Sequence, residues 1–204
     1  MEISERIIKT ATNLFTRYGV KSVTMDDIAS ELGISKKTIY QHFADKDEIV
    51  YQVMLQEMHN DKCEHQALEQ QSENVIDKIV KATNVMREQL GSVNPSLFFD
   101  LKKYYPRAWQ IFQEYKQNFL LETIRQDFIQ GIKEGVFRPE INVEILSHLR
   151  MEQIEFGFDM QALPTNKYTL FEIQYVFLDH FVRGILSEKG KVLYEAYLHK
   201  QLAK

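Results

Sequence analysis

The chain has 204 residues, of which 44% are hydrophobic and 12% aromatic, with a formal net charge of −4. This composition supplies a core and, with only four prolines and eight glycines, argues against a disordered chain. The single cysteine, Cys63, excludes an intrachain disulfide and favours a reducing compartment. No signal-peptide pattern and no membrane-length apolar run is seen, so we expect a soluble cytoplasmic protein with no membrane partner.

The first predicted helix covers residues 3–18 and ends at Gly19. Its apolar residues recur at helical spacing and form one face. They are Ile3, Ile7, Ile8, Ala11, Leu14, Phe15 and Tyr18. The sequence therefore begins with an amphipathic helix.

Residues 24–46 hold three helix starts in little more than twenty residues. Thr24 with Asp27 forms a capping box, and Gly33 supplies the conformation that ends the short helix. Ser35 caps a second helix, predicted to run from Lys36 to Phe43. Asp45, three residues before Glu48, caps a third. Two short helices joined by a glycine-containing turn predict a helix-turn-helix.

This stretch resembles the DNA-binding arm of TetR-family transcriptional regulators, over about a quarter of the chain. The matching residues are Ile7, Ile8, Ala11, Leu14, Phe15, Gly19, Thr24, Asp27, Ile28, Ala29, Gly33, Ile34, Ser35, Thr38, Ile39, Tyr40, His42, Phe43 and Lys46. Thr10, where the family often has alanine, is a small departure that concerns packing. The resemblance implies a sequence-specific regulator that binds a double-stranded DNA operator as a homodimer. Repression is the family's usual output, although the sequence is also compatible with an activator.

The resemblance places the second short helix in the major groove. We expect Lys36, Lys37 and Gln41 to read bases, because their donors match purine edges. The remaining candidates for DNA binding are expected to hold phosphates: Thr24, Ser35, Thr38, Tyr40, His42 and Lys46. The alternative is a solvated helix with Tyr40 in the core. Net charge does not decide between DNA binding and a solvated helix, since residues 1–47 carry seven basic and seven acidic side chains.

The rest of the chain predicts an all-α body, giving nine or ten helices in all and no strand. We expect a helix-turn-helix domain at 1–46 and an effector-binding and dimerisation domain at 47–204. The predicted body helices run from Asp45 towards Leu68, from Ser72 to Gly91, from Asn94 to Tyr105, from Pro106 to about Glu134, from Asn142 to about Met160 with a break at Leu163-Pro164, over 167–187, and from about Gly190.

The resemblance implies that the helices near 142–160 and 167–187 form the dimer. The candidate interface residues are Leu146, Ile154, Phe158, Phe177, Phe181 and Gly184. Ordinary intrachain packing is the alternative, because apolar residues at helical spacing usually form core.

An aromatic segment in the middle of the chain matches the region that lines an inducer pocket in the family. The candidate ligand-binding residues are Phe98, Phe99, Tyr104, Tyr105, Trp109 and Phe112. We expect a small, largely apolar effector that releases the protein from a palindromic operator, with a filled aromatic core as the alternative.

Other functions have weaker support. His59 and Cys63 lie one helical turn apart and could bind a metal, but a solvated helix is the simpler interpretation, so no metal or cofactor is expected. No nucleophile elbow or phosphate loop occurs, and we predict that the protein is not an enzyme. A dimeric scaffold that has lost DNA binding is a third alternative, which the intact helix-turn-helix opposes.

Overall fold

The computed structural model describes residues 2–159, 163 and 167–202, and within them the fold is all-α, as predicted. The only β-type pairing among these residues is an isolated bridge between Phe137 and Leu186. The helices are α1 (Ile3–Tyr18), α2 (Met25–Leu32), α3 (Lys36–Tyr40), α4 (Lys46–Gln71), α5 (Val75–Leu90), α6 (Ser96–Tyr104), α7 (Pro106–Tyr115), α8 (Leu121–Lys133), α9 (Val143–Phe156), α10 (Leu170–Ile185) and α11 (Glu188–Leu202). None of the described helices is long and apolar enough to cross a membrane.

Local capping explains why α2, α3 and α4 start where they do. The Thr24 hydroxyl accepts from the Asp27 amide at 3.2 Å, and the Asp27 carboxylate accepts from the Thr24 amide at 2.7 Å. Ser35 and Asp45 cap α3 and α4 in the same manner. Gly33 ends α2 at φ 66°, where a side chain would be strained. The three predicted helix starts are confirmed.

The predicted helix ends shift at several places. The helix predicted from Lys36 to Phe43 ends at Tyr40, and Gln41 and His42 form a turn. Asn74, rather than Ser72, caps α5. The single helix predicted after Pro106 contains a π-helical turn, Lys116–Leu120, between α7 and α8. Helix α9 ends at Phe156, before Met160 and Pro164, both of which lie outside the described residues.

Two hydrophobic clusters hold these helices together. The first contains the core of the first three helices, including Ile7, Phe15 and Ile39, and continues through Leu101 of α6 and Phe112 of α7. The N-terminal helices therefore pack directly on the rest of the chain, and this contact positions them for function.

The second cluster joins the C-terminal helices to α5 and α8. Phe181 of α10 stacks on Phe128 of α8 with ring centroids 5.7 Å apart. Tyr194 of α11 and Ile76 of α5 are buried beside them. This cluster fixes α10 against the body and leaves its opposite face uncovered.

Candidate DNA interface and effector cavity

Helix α3 presents polar side chains because one apolar residue anchors it. Ile39 is fully buried, whereas Lys36, Lys37 and Tyr40 on the same helix are exposed, Tyr40 by 48%. Gln41 and His42, in the following turn, are also exposed. An exposed aromatic ring and two cations on one short helix form a surface suited to a polyanion.

The hydroxyl groups in this surface already have structural partners. Ser35 accepts from the Thr38 amide at 3.1 Å, and the two hydroxyls lie 2.8 Å apart. The Thr24 hydroxyl lies 2.7 Å from the Asp27 carboxylate, and the hydrogen bonds from Thr24 lower the pKa of Asp27. These three side chains set the helix starts, so a phosphate contact would be additional to their capping role.

The two lysines that begin α3 differ in their surroundings. The Lys36 ammonium lies 2.9 Å from the Asp26 carboxylate, and this hydrogen bond raises the pKa of Lys36. Both side chains are exposed, so the pair is easily exchanged for a stronger anion. Lys37 is exposed on the same helix turn. Both lysines are therefore accessible to DNA.

The Lys46 side chain requires a correction, because it points inward rather than towards a phosphate. Its ammonium donates to the Val20 carbonyl at 2.5 Å and lies 5.6 Å from the Tyr105 ring centroid. Burial lowers the pKa of Lys46. The ammonium thus ties α4 to the turn after α1, and only the backbone amide at the start of α4 is placed to meet a phosphate.

The three N-terminal helices α1 to α3 are called the head. Helix α6 connects the head to the rest of the chain, a contact that the sequence did not predict. The Asp100 carboxylate, 5% exposed, accepts from the Lys21 amide at 2.8 Å. The Tyr104 hydroxyl lies 3.2 Å from the Lys21 ammonium. One face of α6 is therefore bonded to the turn between α1 and α2.

A cavity of about 460 Å³ lies behind α6. Its walls come from α1 and α4 to α10, and most lining residues are apolar, among them Met54, Met58, Ile79 and Met86. This volume is in the range of sites that bind small organic molecules. The chain therefore encloses a mainly apolar chamber beside the helix that contacts the head.

The predicted aromatic residues divide between this cavity and other places. Phe98 and Phe112 line it. Phe99, Tyr104, Tyr105 and Trp109 do not, and each lies instead near a lysine: Phe99 and Tyr104 near Lys103, Tyr105 near Lys46 and Trp109 near Lys102. Adjacent residues of a helix point about 100° apart, so Phe98 and Phe99 face different sides of α6, and the sequence does not reveal which side is enclosed.

Polar groups interrupt the apolar wall at two places. Carboxylates of α4 line one part, where burial raises the pKa of Glu57 and of Glu64. Asp61 of the same helix accepts a hydrogen bond from the Tyr115 hydroxyl. Arg150 of α9 lines another part together with Gln174 of α10. None of these polar lining residues was among the predicted ligand-binding residues.

The candidate dimer residues also divide. Four of the six pack within the chain: Phe181 on Phe128, Phe158 on Phe98 with centroids 3.8 Å apart, Leu146 against the second cluster, and Ile154 at the cavity wall. Phe177 and Gly184 stay at or near the surface. Gly157, directly after α9, lies against the Gln174 side chain of α10, so a larger residue at this position would collide with it.

Helices α9 and α10 nevertheless share an exposed apolar face. Ile145 is 64% exposed and Val176 61%, and Leu149 and Phe156 are exposed at helical spacing from Ile145. Phe156 stacks on Phe177 with centroids 6.0 Å apart, which joins the two helices into one surface. We call Ile145, Leu149, Phe156, Val176 and Phe177 the α9–α10 face. Apolar surface of this kind marks an interaction site.

The two residues considered for metal binding, and two acids of α9 and α10, have ordinary surroundings. The Cys63 Sγ and His59 Nε2 atoms lie 3.7 Å apart. In the described part of the chain no group of three or more metal-ligating side chains occurs. Glu155 pairs with Lys116, and Asp179 pairs with Arg183 and accepts from Tyr194. These two acids are engaged in structural contacts between helices.

Comparison with known proteins agrees with the geometry of the head. Residues 7–53 match the family model described as "Bacterial regulatory proteins, tetR family". An uncharacterized HTH-type transcriptional regulator of Bacillus subtilis, YvaF, is 25% identical over 189 residues, which cover 92% of this chain and 97% of that protein.

Solved structures share the complete fold. A putative transcriptional regulator from Saccharomonospora viridis in complex with choline has a TM-score of 0.71 at 21% identity, over 91% of this chain and 98% of that one. FadR from Bacillus subtilis in complex with stearoyl-CoA has a TM-score of 0.63 at 18% identity, over 89% and 98%. The family model thus matches residues 7–53, which hold α2, α3 and parts of α1 and α4, and the chain shares the two-part helical fold of these solved structures.

Proposed function

We propose that the protein is a repressor that binds a palindromic operator as a homodimer and is released by a small, largely apolar ligand. The observation that carries the proposal is the presentation of α3: a buried Ile39 holds Lys36, Lys37, Tyr40, Gln41 and His42 outward. A fixed helix with these donors can enter a major groove. Because DNA is its target, we place its action in the cytoplasm.

Within this proposal, the exposed residues of the head have different roles. Lys36, Lys37 and Gln41 contact base edges, and Tyr40 and His42 contact phosphates. Thr24, Ser35 and Thr38 hold the helix starts. They add phosphate contacts through the backbone amides at those starts. Lys46 contributes its backbone amide, since its ammonium is bound to the Val20 carbonyl.

The domain division that we propose places DNA binding at 1–46 and ligand binding and dimerisation at 47–204. The α9–α10 face supports dimerisation, since its exposed apolar side chains lie on two adjacent helices. A two-fold axis through this face would pair like surfaces, and two heads at a fixed separation would then require a palindromic site.

Helix α6 supports ligand release. Leu97, Phe98 and Leu101 line the cavity, while Asp100 on the same helix holds the Lys21 amide. A ligand that displaces α6 would therefore move the head directly. Repression follows if the ligand-free arrangement is the one that fits DNA.

The proposal is tested by selecting bound sequences from random DNA with the purified full chain. We expect an enriched site with two inverted half-sites. Lys37→Ala should weaken binding to the selected site, whereas Lys133→Ala, an equal loss of charge on the exposed end of α8, should not. Failure to enrich any sequence at low ionic strength would refute the proposal.

A further inference from the structure

Arg150 is a buried charge for which the described part of the chain supplies no ion-pair partner. The residue is 8% exposed, and its Nη1 atom is buried without a hydrogen-bond partner. Among the described residues no ion pair includes it. Burial lowers the pKa of Arg150 to about 10, with no acidic neighbour acting against that shift. Even so, the guanidinium is charged at neutral pH.

The other cations that are buried among the residues the structure describes are paired. Lys78 forms ion pairs with Glu69 and Asp127, and Lys116 pairs with Glu155. A buried charge without a partner destabilises the folded state strongly, because it has lost its hydration and gained no opposite charge. A group of this kind in a native fold calls for a functional explanation.

The position of Arg150 supplies that explanation, because the residue lines the 460 Å³ cavity. Around it the wall is apolar, with Ile154, Phe158 and Leu178 beside the Gln174 side chain. The Gln174 amide nitrogen donates to the Ile154 carbonyl at 2.8 Å, so it is already engaged. A guanidinium in such surroundings binds a carboxylate or phosphate far more strongly than one in water.

The carboxylates in the same cavity do not make it a cation site. Asp61 is bound to the Tyr115 hydroxyl and lies 3.6 Å from the His65 ring, and Glu64 accepts from Gln89 at 2.6 Å. Burial raises the pKa of Glu57, and Asp127, the fourth carboxylate of the lining, pairs with Lys78. Arg150 is the buried charge of this lining for which no ion pair is found among the described residues.

We propose that the effector is an amphipathic organic anion, whose acidic group binds Arg150 while its apolar part fills the chamber lined by Met54, Met58 and Ile79. This inference rests on the proposed function, because it takes the cavity as the effector site. It adds the charge and the position of the head group.

The test uses three probes of equal chain length on the purified full chain: dodecanoate, dodecanol and dodecyltrimethylammonium, each below its micelle concentration. Binding is measured by calorimetry and by the shift in Tm. We expect dodecanoate to bind at least about 10-fold more tightly than the other two, the worth of one charge-assisted hydrogen bond in a buried site. Equal or tighter binding of the alcohol or the cation, or no binding of dodecanoate, would overturn the inference.

Variants locate the effect. Arg150→Met should weaken dodecanoate binding about 10- to 100-fold and leave dodecanol binding unchanged. It should also raise the Tm of the free protein, because an unpaired buried charge is replaced by an apolar side chain of similar length. Arg150→Lys keeps the charge but lacks the planar guanidinium, so its affinity for dodecanoate should lie between those of the wild type and Arg150→Met. Unchanged dodecanoate affinity in Arg150→Met would refute the assignment.

The control is Arg125→Met, since Arg125 lies outside the cavity and pairs with Glu122 and Glu144. It should not alter the preference for dodecanoate. The rival explanation is that Arg150 turns to Gln153, whose Oε1 atom is also buried without a partner. In that case dodecanoate would gain nothing over dodecanol.

Release of operator DNA is measured separately, by fluorescence anisotropy. Arg150-dependent binding of dodecanoate without DNA release would uphold the anion site and contradict ligand-controlled repression. If dodecanol or the cation releases DNA and Arg150→Met does not change this, ligand-controlled repression would be upheld and the anion site would be contradicted. The two failures are therefore distinguishable.

Discussion

The contact between Asp100 and the Lys21 amide gives the sharpest test of how a ligand would control DNA binding. The carboxylate is 5% exposed, and its bond to the amide is 2.8 Å long. A hydrogen bond to a charged group contributes about 1.5–3 kcal/mol. In Asp100→Asn the amide oxygen can still accept, but the charge beside Lys46 is lost. We therefore expect the free energy of unfolding to fall by about 1–2 kcal/mol.

The coupling free energy between ligand binding in the cavity and DNA binding by the head should be almost abolished. Coupling free energies are typically about 1–3 kcal/mol, or about 5- to 150-fold in affinity. If α6 transmits the signal through Asp100, a ligand that releases DNA from the wild type should change the DNA affinity of Asp100→Asn by no more than about 2-fold. Ligand binding itself should be retained, because Asp100 does not line the cavity. Calorimetry gives the ligand affinity, and anisotropy with the selected operator gives the coupling.

Asp77→Asn is a matched control. Asp77 of α5 is 6% exposed and also accepts from a backbone amide, that of Glu73 at 3.0 Å, and from a lysine, Lys81 at 2.7 Å. Its substitution should cost similar stability and leave the coupling intact. Full coupling in Asp100→Asn, or equal loss in both variants, would refute the role of Asp100.

Three further outcomes test the head and the dimer. Lys36→Ala should relax base preference and weaken the selected site by about 1–3 kcal/mol, as measured by anisotropy, while random DNA is less affected; equal losses would place Lys36 on a phosphate instead. Lys46→Met should lower the free energy of unfolding by about 1–3 kcal/mol, because the Val20 carbonyl loses its donor, and should leave the salt dependence of DNA binding unchanged. If the slope of log K for DNA binding against log salt concentration fell by about one in magnitude, the Lys46 ammonium would contact a phosphate. Val176→Glu should yield monomers in sedimentation equilibrium, because two acids would face each other across the two-fold axis, whereas Val192→Glu, at a valine of α11 that is also exposed, should not.

The head was predictable because its signals are local. Thr24 and Asp27 lie within one turn, and so do Asp45 and Glu48, so their caps require no knowledge of the tertiary fold. Lys46 shows where local reasoning ends. Its position at a helix start was read correctly, but the Val20 carbonyl that turns its side chain inward is 26 residues away.

The cavity was less predictable because it is made by distant helices. Phe98 and Phe99 are adjacent and chemically equal, and only the packing of α6 sends Phe98 to the chamber. Arg150 had no sequence signal as a buried residue, since arginine is usually exposed. The sequence located the aromatic segment, and the tertiary structure divides it between the cavity and the surface.

Helix α9 shows why its two functional faces could not be separated by periodicity. Its polar Ser147 and Arg150 are buried, whereas the apolar Ile145 and Leu149 are exposed, the reverse of an ordinary surface helix. Ser147 is satisfied by the Val143 carbonyl at 2.7 Å, whereas Arg150 keeps a buried Nη1 atom without a hydrogen-bond partner. Such an inversion is unfavourable for an isolated chain, because it exposes apolar surface and buries charge at once. It becomes favourable when a second copy covers the outer face and an anion meets the inner one. The dimer and the ligand that we propose would thus stabilise the same helix from opposite sides, and the Tm should rise additively with both.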